Sequence, residues 1–246
     1  MFPHQRVQGQ LSLPQGLRRI IQPLLGLAHR RTYLMYSIKE AFYTLQGEGY
    51  HAGKAAVFCR FSGCNLWSGL EKDRRKAICQ FCDTYFVGTN FVGGGKFETA
   101  QDLALHIERL WEPGTNYTEK KMVVLTGGEP LLQVTKELIN RLHDLGFYIA
   151  VETNGTISAP EGIDWITVSP KAGTELKQTQ GDELKLVYPQ QSAPPEKYDL
   201  LNFQHRYLQP MWGQEITENS KAAVKYCKKH PNWRLSIQTQ KYGGFQ

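Results

Sequence analysis

Beyond residue 35 the chain alternates short apolar runs with stretches whose apolar residues recur every three or four positions. Residues 55–61 (AAVFCRF) read as a buried strand, and residues 99–111 set Leu103, Ile107 and Leu110 on one helical face, with Pro113 as a stop. Residues 122–126 (MVVLT) form a second strand, closed by a turn at Gly127 and Gly128. Pro130 suits a first helical position, and the pattern carries that helix to Leu145, with Gly146 just past its end. Further strands are expected at 147–152, 165–168, 183–187, 207–209 and 233–237, and a late helix over 217–229 stops near Pro231. This alternation predicts an α/β fold with a largely parallel sheet and crossover helices. A closed or partial β/α barrel is the first choice and an open doubly wound sheet the second; both place function at the C-terminal ends of strands.

The net charge of +6 would suit a nucleic-acid binder if it were spread over a groove. It is not: Arg6, Arg18, Arg19, Arg30 and Arg31 lie in the first 34 residues, which hold no acid, so the rest of the chain carries only +1. No nucleic acid is therefore expected as a partner. No apolar run reaches the roughly 18 residues of a membrane span. Within residues 1–34, a single serine (Ser12) disfavours an organelle-targeting peptide and Pro23 a membrane-surface helix. The expectation is a disordered extension or mis-assigned start, with Met35 opening one catalytic domain over 35–246. Five cysteines, an odd number without regular spacing, argue against a disulfide framework and for a reducing, cytoplasmic setting.

Three of those cysteines carry candidate chemistry. Cys64 is followed after fourteen residues by Cys79, and Cys79-Gln80-Phe81-Cys82 forms a Cys-x-x-Cys pair. Structural zinc and most electron-transfer clusters take four protein ligands. Only Cys59, inside the first strand, and Cys227 remain, neither at ligand spacing. Three thiolates on a four-iron cluster leave one iron open, able to chelate the amino and carboxylate groups of a methionine moiety. The competing readings are a zinc knuckle completed by His51 or His106 and unliganded thiols, and the spacing alone leaves all three open.

The strand ends add a second signal. Thr126-Gly127-Gly128-Glu129-Pro130 lets backbone approach a ligand closely. Glu152-Thr153-Asn154-Gly155, Ser169-Pro170-Lys171 and Gln209-Pro210-Met211-Trp212 put polar groups at the ends of three later strands, with Met211 or Trp212 available to pack on a base. Each alone is an ordinary turn; their shared placement is what points to a site.

Together the cysteine triplet, TGGEP, ETNG and SPK resemble the radical S-adenosylmethionine superfamily. Phe42 to Gly49 (FYTLQGEG) and Trp233 to Thr239 (WRLSIQT) are similar to its 7-carboxy-7-deazaguanine synthase family, in the subgroup with a Cys-x14-Cys-x2-Cys motif. The resemblance covers about residues 36–246. It implies a partial β/α barrel and a lyase of queuosine (7-deazapurine) biosynthesis. Its reaction would convert 6-carboxy-5,6,7,8-tetrahydropterin to 7-carboxy-7-deazaguanine and ammonia, by hydrogen abstraction at C6 through a 5′-deoxyadenosyl radical. It further implies a 4Fe–4S cluster on Cys64, Cys79 and Cys82, S-adenosylmethionine, and Mg2+ at Thr84. Phe81, Cys82, Asp83, Gly128, Ser169, Pro170, Lys171, Gln209, Pro210, Met211 and Trp212 would bind S-adenosylmethionine. Leu45, Gln46, Gly47, Arg60, Thr126 and the terminal Gln246 would bind the pterin, with the Arg60 guanidinium on its carboxylate. No protein acid or base is assigned. A homodimer and a flavodoxin or ferredoxin donor are implied as partners.

Two departures stand out. The family commonly has histidine where this chain has Gln240, which cannot titrate. The ending Tyr242-Gly243-Gly244-Phe245-Gln246 also differs from the usual one near a proline. A glycyl-radical activase and a zinc-stabilised binding module are the rival readings. A protein beginning at Met35 should turn over substrate like the full chain; loss of activity on truncation would show that the basic extension belongs to the enzyme.

Overall fold

The computed structural model describes residues 35–112 and 120–245; the expectations for residues 1–34 and for Gln246 lie outside the described residues. Nine strands form one sheet in the order β3-β1-β2-β4-β5-β6-β7-β8-β9. These are β1 (Tyr36–Leu45), β2 (Ala55–Phe61), β3 (Gly95–Phe97), β4 (Lys121–Gly127), β5 (Phe147–Thr153), β6 (Trp165–Val168), β7 (Gln180–Tyr188), β8 (Asn202–Pro210) and β9 (Arg234–Leu235). From β2 through β4 to β9 every pairing is parallel, while β1 runs antiparallel to β2 and to β3. After β4 the order follows the chain without reversal, so there is no switch point of the kind a doubly wound sheet has. The partial β/α barrel is the observed architecture.

Period-two alternation sorts the two faces. On one face Val57, Cys59, Phe61, Val123, Leu125, Ile149 and Val151 pack under α1 (Ala100–Leu110) and α2 (Lys136–Asp144). Leu184, Leu186 and Leu208 continue that layer, covered by Ala223 of α3 (Ile216–Lys229). The opposite face starts apolar, with Ala56, Met122, Val124, Ala150 and Trp165, and turns polar toward the strand ends.

Three expectations needed correction. The helix from Pro130 to Leu145 is two elements, a 3-10 turn at Pro130–Leu132 and α2, because Thr135 accepts the Leu138 amide at 3.2 Å and restarts the helix as its N-cap. The strand over 233–237 pairs only at Arg234 and Leu235, since Ser236 turns its hydroxyl to Gln209 at 3.1 Å and the chain leaves the ladder. Strands β1 and β3 were not anticipated. In β1 a bulge between Ile38 and Glu40 interrupts the alternation: Tyr36 and Ile38 face the helices before it, Ala41 and Tyr43 after it. No described helix is long and apolar enough to cross a membrane. Leu138 is fully buried between α2 and the sheet; Leu138→Ala should lower unfolding free energy by roughly 2–5 kcal/mol in a denaturant titration.

Candidate active site

Where the inner face turns polar, the strands contribute one polar side chain each in sequence around the sheet. Thr126 comes from β4, Glu152 from β5, Thr167 from β6, Lys185 from β7 and Gln209 from β8, and all five line a cavity of about 260 Å3. Period two puts them on the face opposite the helices, and parallel register brings their strand ends level.

Cys64, Cys79 and Cys82 line the same cavity. The long gap between the first two does not separate them. Residues Glu71–Lys76 form a 3-10 turn that folds the chain back, and the amides of Ile78 and Cys79 return to the Leu66 carbonyl at 3.1 and 3.5 Å. Arg74 closes this loop: its guanidinium lies 4.1 Å from the Trp67 ring centre and donates to the Gln80 and Cys82 carbonyls at 2.9 and 3.1 Å. Burial pushes all three thiols above their ordinary pKa, while Lys171 pulls Cys79 and Cys82 back toward ionisation.

Cys59 is buried under the helices and Cys227 packs within the α3 core, so neither joins the triplet. Neither histidine weighed as a zinc ligand lines the cavity. His106 Nε2 lies 2.8 Å from the Gly93 carbonyl, and His51 is boxed by Tyr50, Tyr148 and Trp165. Among the described residues no three His, Cys, Asp or Glu side chains are grouped tightly enough for one metal ion. Three thiols ringing a cavity instead fit a multi-iron cluster that takes one thiolate per iron.

The glycine pair makes this closeness possible. A Cβ on Gly127 would stand 2.3 Å from the Phe61 carbonyl oxygen, and one on Gly128 would stand 2.0 Å from that of Gly63 and 2.9 Å from Cβ of Cys64. Gly127 also has φ of 133°, which other residues rarely adopt. Next to it the fully buried Glu129 accepts from the amides of Leu131 and Asn154 at 3.0 and 2.8 Å and from Thr153 Oγ1 at 2.8 Å. Burial raises the pKa of this carboxyl against those bonds, and they tie the ends of β4 and β5 together.

A second polar group occupies the other side of the cavity. Lys185 Nζ donates to Glu48 Oε2 at 2.5 Å and to Glu152 Oε1 at 3.3 Å. Glu48 Oε1 accepts from Gln238 Nε2 and Gln240 Nε2, both at 2.9 Å. Glu152 accepts from Gln46 Nε2 at 3.1 Å and Thr126 Oγ1 at 3.2 Å. Burial alone would raise Glu48, but Lys185 and the two amides hold it well below the usual carboxylate range. Because Glu48 can only accept, the Gln240 amide must present its nitrogen there, leaving Oε1 buried with no partner.

Of the residues singled out from sequence, Cys64, Phe81, Cys82, Asp83, Thr84, Thr126, Gly128, Ser169, Lys171, Gln209, Pro210, Met211 and Trp212 line the cavity together with Cys79. Lys171 Nζ donates to Ser169 O and Oγ at 2.6 and 2.7 Å, and burial lowers its pKa. Leu45, Gln46, Gly47, Arg60 and Pro170 are not in the lining. Gln46 reaches it through Glu152, and the Gly47 carbonyl receives the Thr239 amide at 3.0 Å. Arg60 sits beside Thr126 in the β2–β4 register with Nε on Glu40 at 2.7 Å. Glu48, Lys185, Gln238, Gln240 and Lys241 were not named as site residues. Only Lys185 lies on a strand; the other four lie outside the strands, and their approach to the strand ends is a matter of topology.

The Radical SAM superfamily matches residues 74–234. The 7-carboxy-7-deazaguanine synthase of Caulobacter vibrioides is 60% identical over 86% of this chain and 99% of its own length. The enzyme of the same name from Bradyrhizobium diazoefficiens is 57% identical over 87% of this chain and all of its own. Among solved structures, that of QueE from Escherichia coli superposes with a TM-score of 0.63 at 27% identity, covering 86% of this chain and 99% of the other.

Glu183, only 2% exposed below Lys185, accepts the Tyr50 amide at 3.0 Å. Burial raises its pKa from 4.5 to about 7, with Lys185 opposing. The folded chain thus holds a proton that the unfolded chain releases, and this group's stabilising contribution, full below about pH 4.5, is lost as pH rises through about 7. Glu183→Gln keeps an acceptor and cannot titrate. In urea titrations it should flatten the fall in stability between about pH 4.5 and about pH 7 by up to about 3 kcal/mol; an unchanged slope would refute the assignment.

Proposed function

Because the chain belongs to the 7-carboxy-7-deazaguanine synthase family of the radical S-adenosylmethionine superfamily, we propose that its cavity contracts the ring of 6-carboxy-5,6,7,8-tetrahydropterin to 7-carboxy-7-deazaguanine with loss of ammonia. Radical S-adenosylmethionine enzymes of this family use a 4Fe–4S cluster, S-adenosylmethionine and Mg2+, and act on a small molecule with an external reductant. When bound, the reduced cluster supplies the electron that splits the sulfonium and starts hydrogen abstraction from substrate. The observation that carries the reading is the meeting of three cysteines, a double-glycine strand end and a ring of inner-face polar groups in one cavity.

The residues divide by chemistry. Cys64, Cys79 and Cys82 hold the cluster. The Gly128 backbone, Ser169 to Lys171 and Gln209 to Trp212, with Phe81 to Asp83, hold S-adenosylmethionine; Leu66, Trp67 and Phe86 give the cavity apolar wall that keeps water off the cluster side. Thr84 offers one hard oxygen to Mg2+, a site that takes its remaining ligands from substrate and water. For the pterin, the side-chain oxygens of Glu48 and Glu152 are acceptors suited to its N–H-rich aminopyrimidinone edge, and Thr126 stands beside β2. Leu45, Gln46 and Gly47 shape the turn that delivers Glu48, and Gln246, outside the described residues, is a further contact proposed for the pterin by family resemblance. Arg60 points to the same face as Thr126, and its guanidinium suits the substrate carboxylate in bidentate fashion.

The electron donor is a flavodoxin or ferredoxin. Lys72, Arg75 and Lys76 outnumber the acids Glu71 and Asp73 on the turn between Cys64 and Cys79, with Leu70 and Ile78 exposed beside them, a net basic surface that suits an acidic carrier. Five free cysteines suit a cytoplasmic enzyme, and the family resemblance implies a homodimer.

Anaerobically reconstituted protein, given the pterin, S-adenosylmethionine, Mg2+ and reductant, should yield a product with the mass of 7-carboxy-7-deazaguanine together with ammonia. Cys64→Ala, Cys79→Ala and Cys82→Ala should each abolish S-adenosylmethionine cleavage, and Cys227→Ala should leave it near wild type. Cleavage that survives loss of a triplet cysteine would sink the cluster assignment.

A further inference from the structure

Lys39 is the largest fully buried side chain, at 0% exposure, and no carboxylate stands within ion-pair distance of it among the described residues. It sits at the β1 bulge, where Ile38 pairs with Phe61 and the next paired residue, Glu40, with Arg60. The extra residue aims its side chain away from both flanking ladders and into the segment that follows the third cysteine. There Nζ donates to the Val87 carbonyl at 2.7 Å and Asn90 Oδ1 at 3.3 Å, and lies 4.2 and 3.8 Å from the ring centres of Tyr85 and Phe91. A buried ammonium costs several kcal/mol unless its protons and charge are met. Two acceptors and two aromatic faces meet them here, and all four belong to residues 85–91.

The backbone repeats the link. The Lys39 carbonyl receives the Phe91 amide at 3.3 Å, and the Ala41 amide donates to the Val92 carbonyl at 3.0 Å. On the far side of the same segment, Phe86 meets Trp67 edge to face at 5.6 Å, and the Phe86 carbonyl receives the Gly63 amide at 3.4 Å. The stretch beginning just after Cys82, Asp83 and Thr84 is thus gripped from two sides, by an apolar contact to the cluster loop and by a charged post from β1.

We propose that Lys39 is a positioning residue, fixing the post-cysteine segment so that Thr84 and Cys82 face the cavity. Loss of the ammonium should free that segment before it disturbs the sheet, because Met in its place keeps the buried stem. The functional half of this inference rests on Thr84 as the Mg2+ ligand.

The test compares reconstituted wild-type protein with Lys39→Met and Asn90→Leu by hydrogen exchange and by Mg2+ titration of turnover. In Lys39→Met, amides of residues 84–92 should exchange about tenfold faster or more while those of β4 and β5 are unchanged. Half-saturating Mg2+ should rise several-fold, with kcat at saturating Mg2+ close to wild type. Asn90→Leu, which removes one acceptor from an exposed position, should shift both readouts the same way by less. Unchanged exchange over 84–92 overturns the proposal whatever the Mg2+ data show; faster exchange with an unchanged Mg2+ requirement overturns the positioning role. Thr84→Ala separates the two readings: if its Mg2+ requirement is normal, the metal assignment fails on its own, independently of the exchange result.

Discussion

The site depends on two strand ends touching backbone to backbone. Where β4 finishes, Gly127 and Gly128 lie against Phe61 and Gly63 so closely that a single methyl group would collide with carbonyl oxygens. That contact sets the distance between Cys64, which follows β2, and Thr126 and Glu129, which flank the glycines on β4. Glu129 then fastens the arrangement to β5 through the amide of Asn154 and the hydroxyl of Thr153. The Cys64 thiol, the Thr126 hydroxyl and the buried Glu129 carboxyl are held by one close approach.

Charge placement follows the same economy of space. Lys185 stands between Glu48 and Glu152, with Glu183 beneath, in a setting where desolvation would penalise any one of them alone. The carboxylates raise Lys185 above its ordinary pKa, and Lys185 in turn keeps Glu48 ionised. Across the cavity Lys171 plays the corresponding part for Cys79 and Cys82. Each half of the cavity thus pairs one lysine with a set of acidic groups, carboxylates on one side and thiols on the other.

Much of this was legible in the chain because the chemistry sits in contiguous strings. TGGEP and SPK each occupy one strand end, Cys79 and Cys82 share one short irregular segment, and the run AAVFCRF located its own strand to the residue. What escaped was whatever depends on partners remote in sequence. Strand β1 hid because its bulge breaks the alternation on which strand reading relies. Lys185 looked like an ordinary polar position of a short strand until topology set it against Glu48, and Gln238 and Gln240 belong to a segment whose strand pattern breaks off after Leu235. The helix from Pro130 was overextended because a favourable proline start masked the better cap at Thr135.

The stretch from Ser236 to Lys241 bridges the turn after β1 and the segment after the last cysteine of the triplet. Ser236 and Thr239 hold the turn at Gly47 and Gly49, Gln238 and Gln240 hold Glu48, and Lys241 pairs with Asp83 beside the last cysteine. Gln238 reaches back across 190 positions to do so. During synthesis, β1 and the cysteine loop leave the ribosome long before this clasp exists, whereas β9 precedes it directly. The binding chamber can close only after every strand of the sheet has been synthesised.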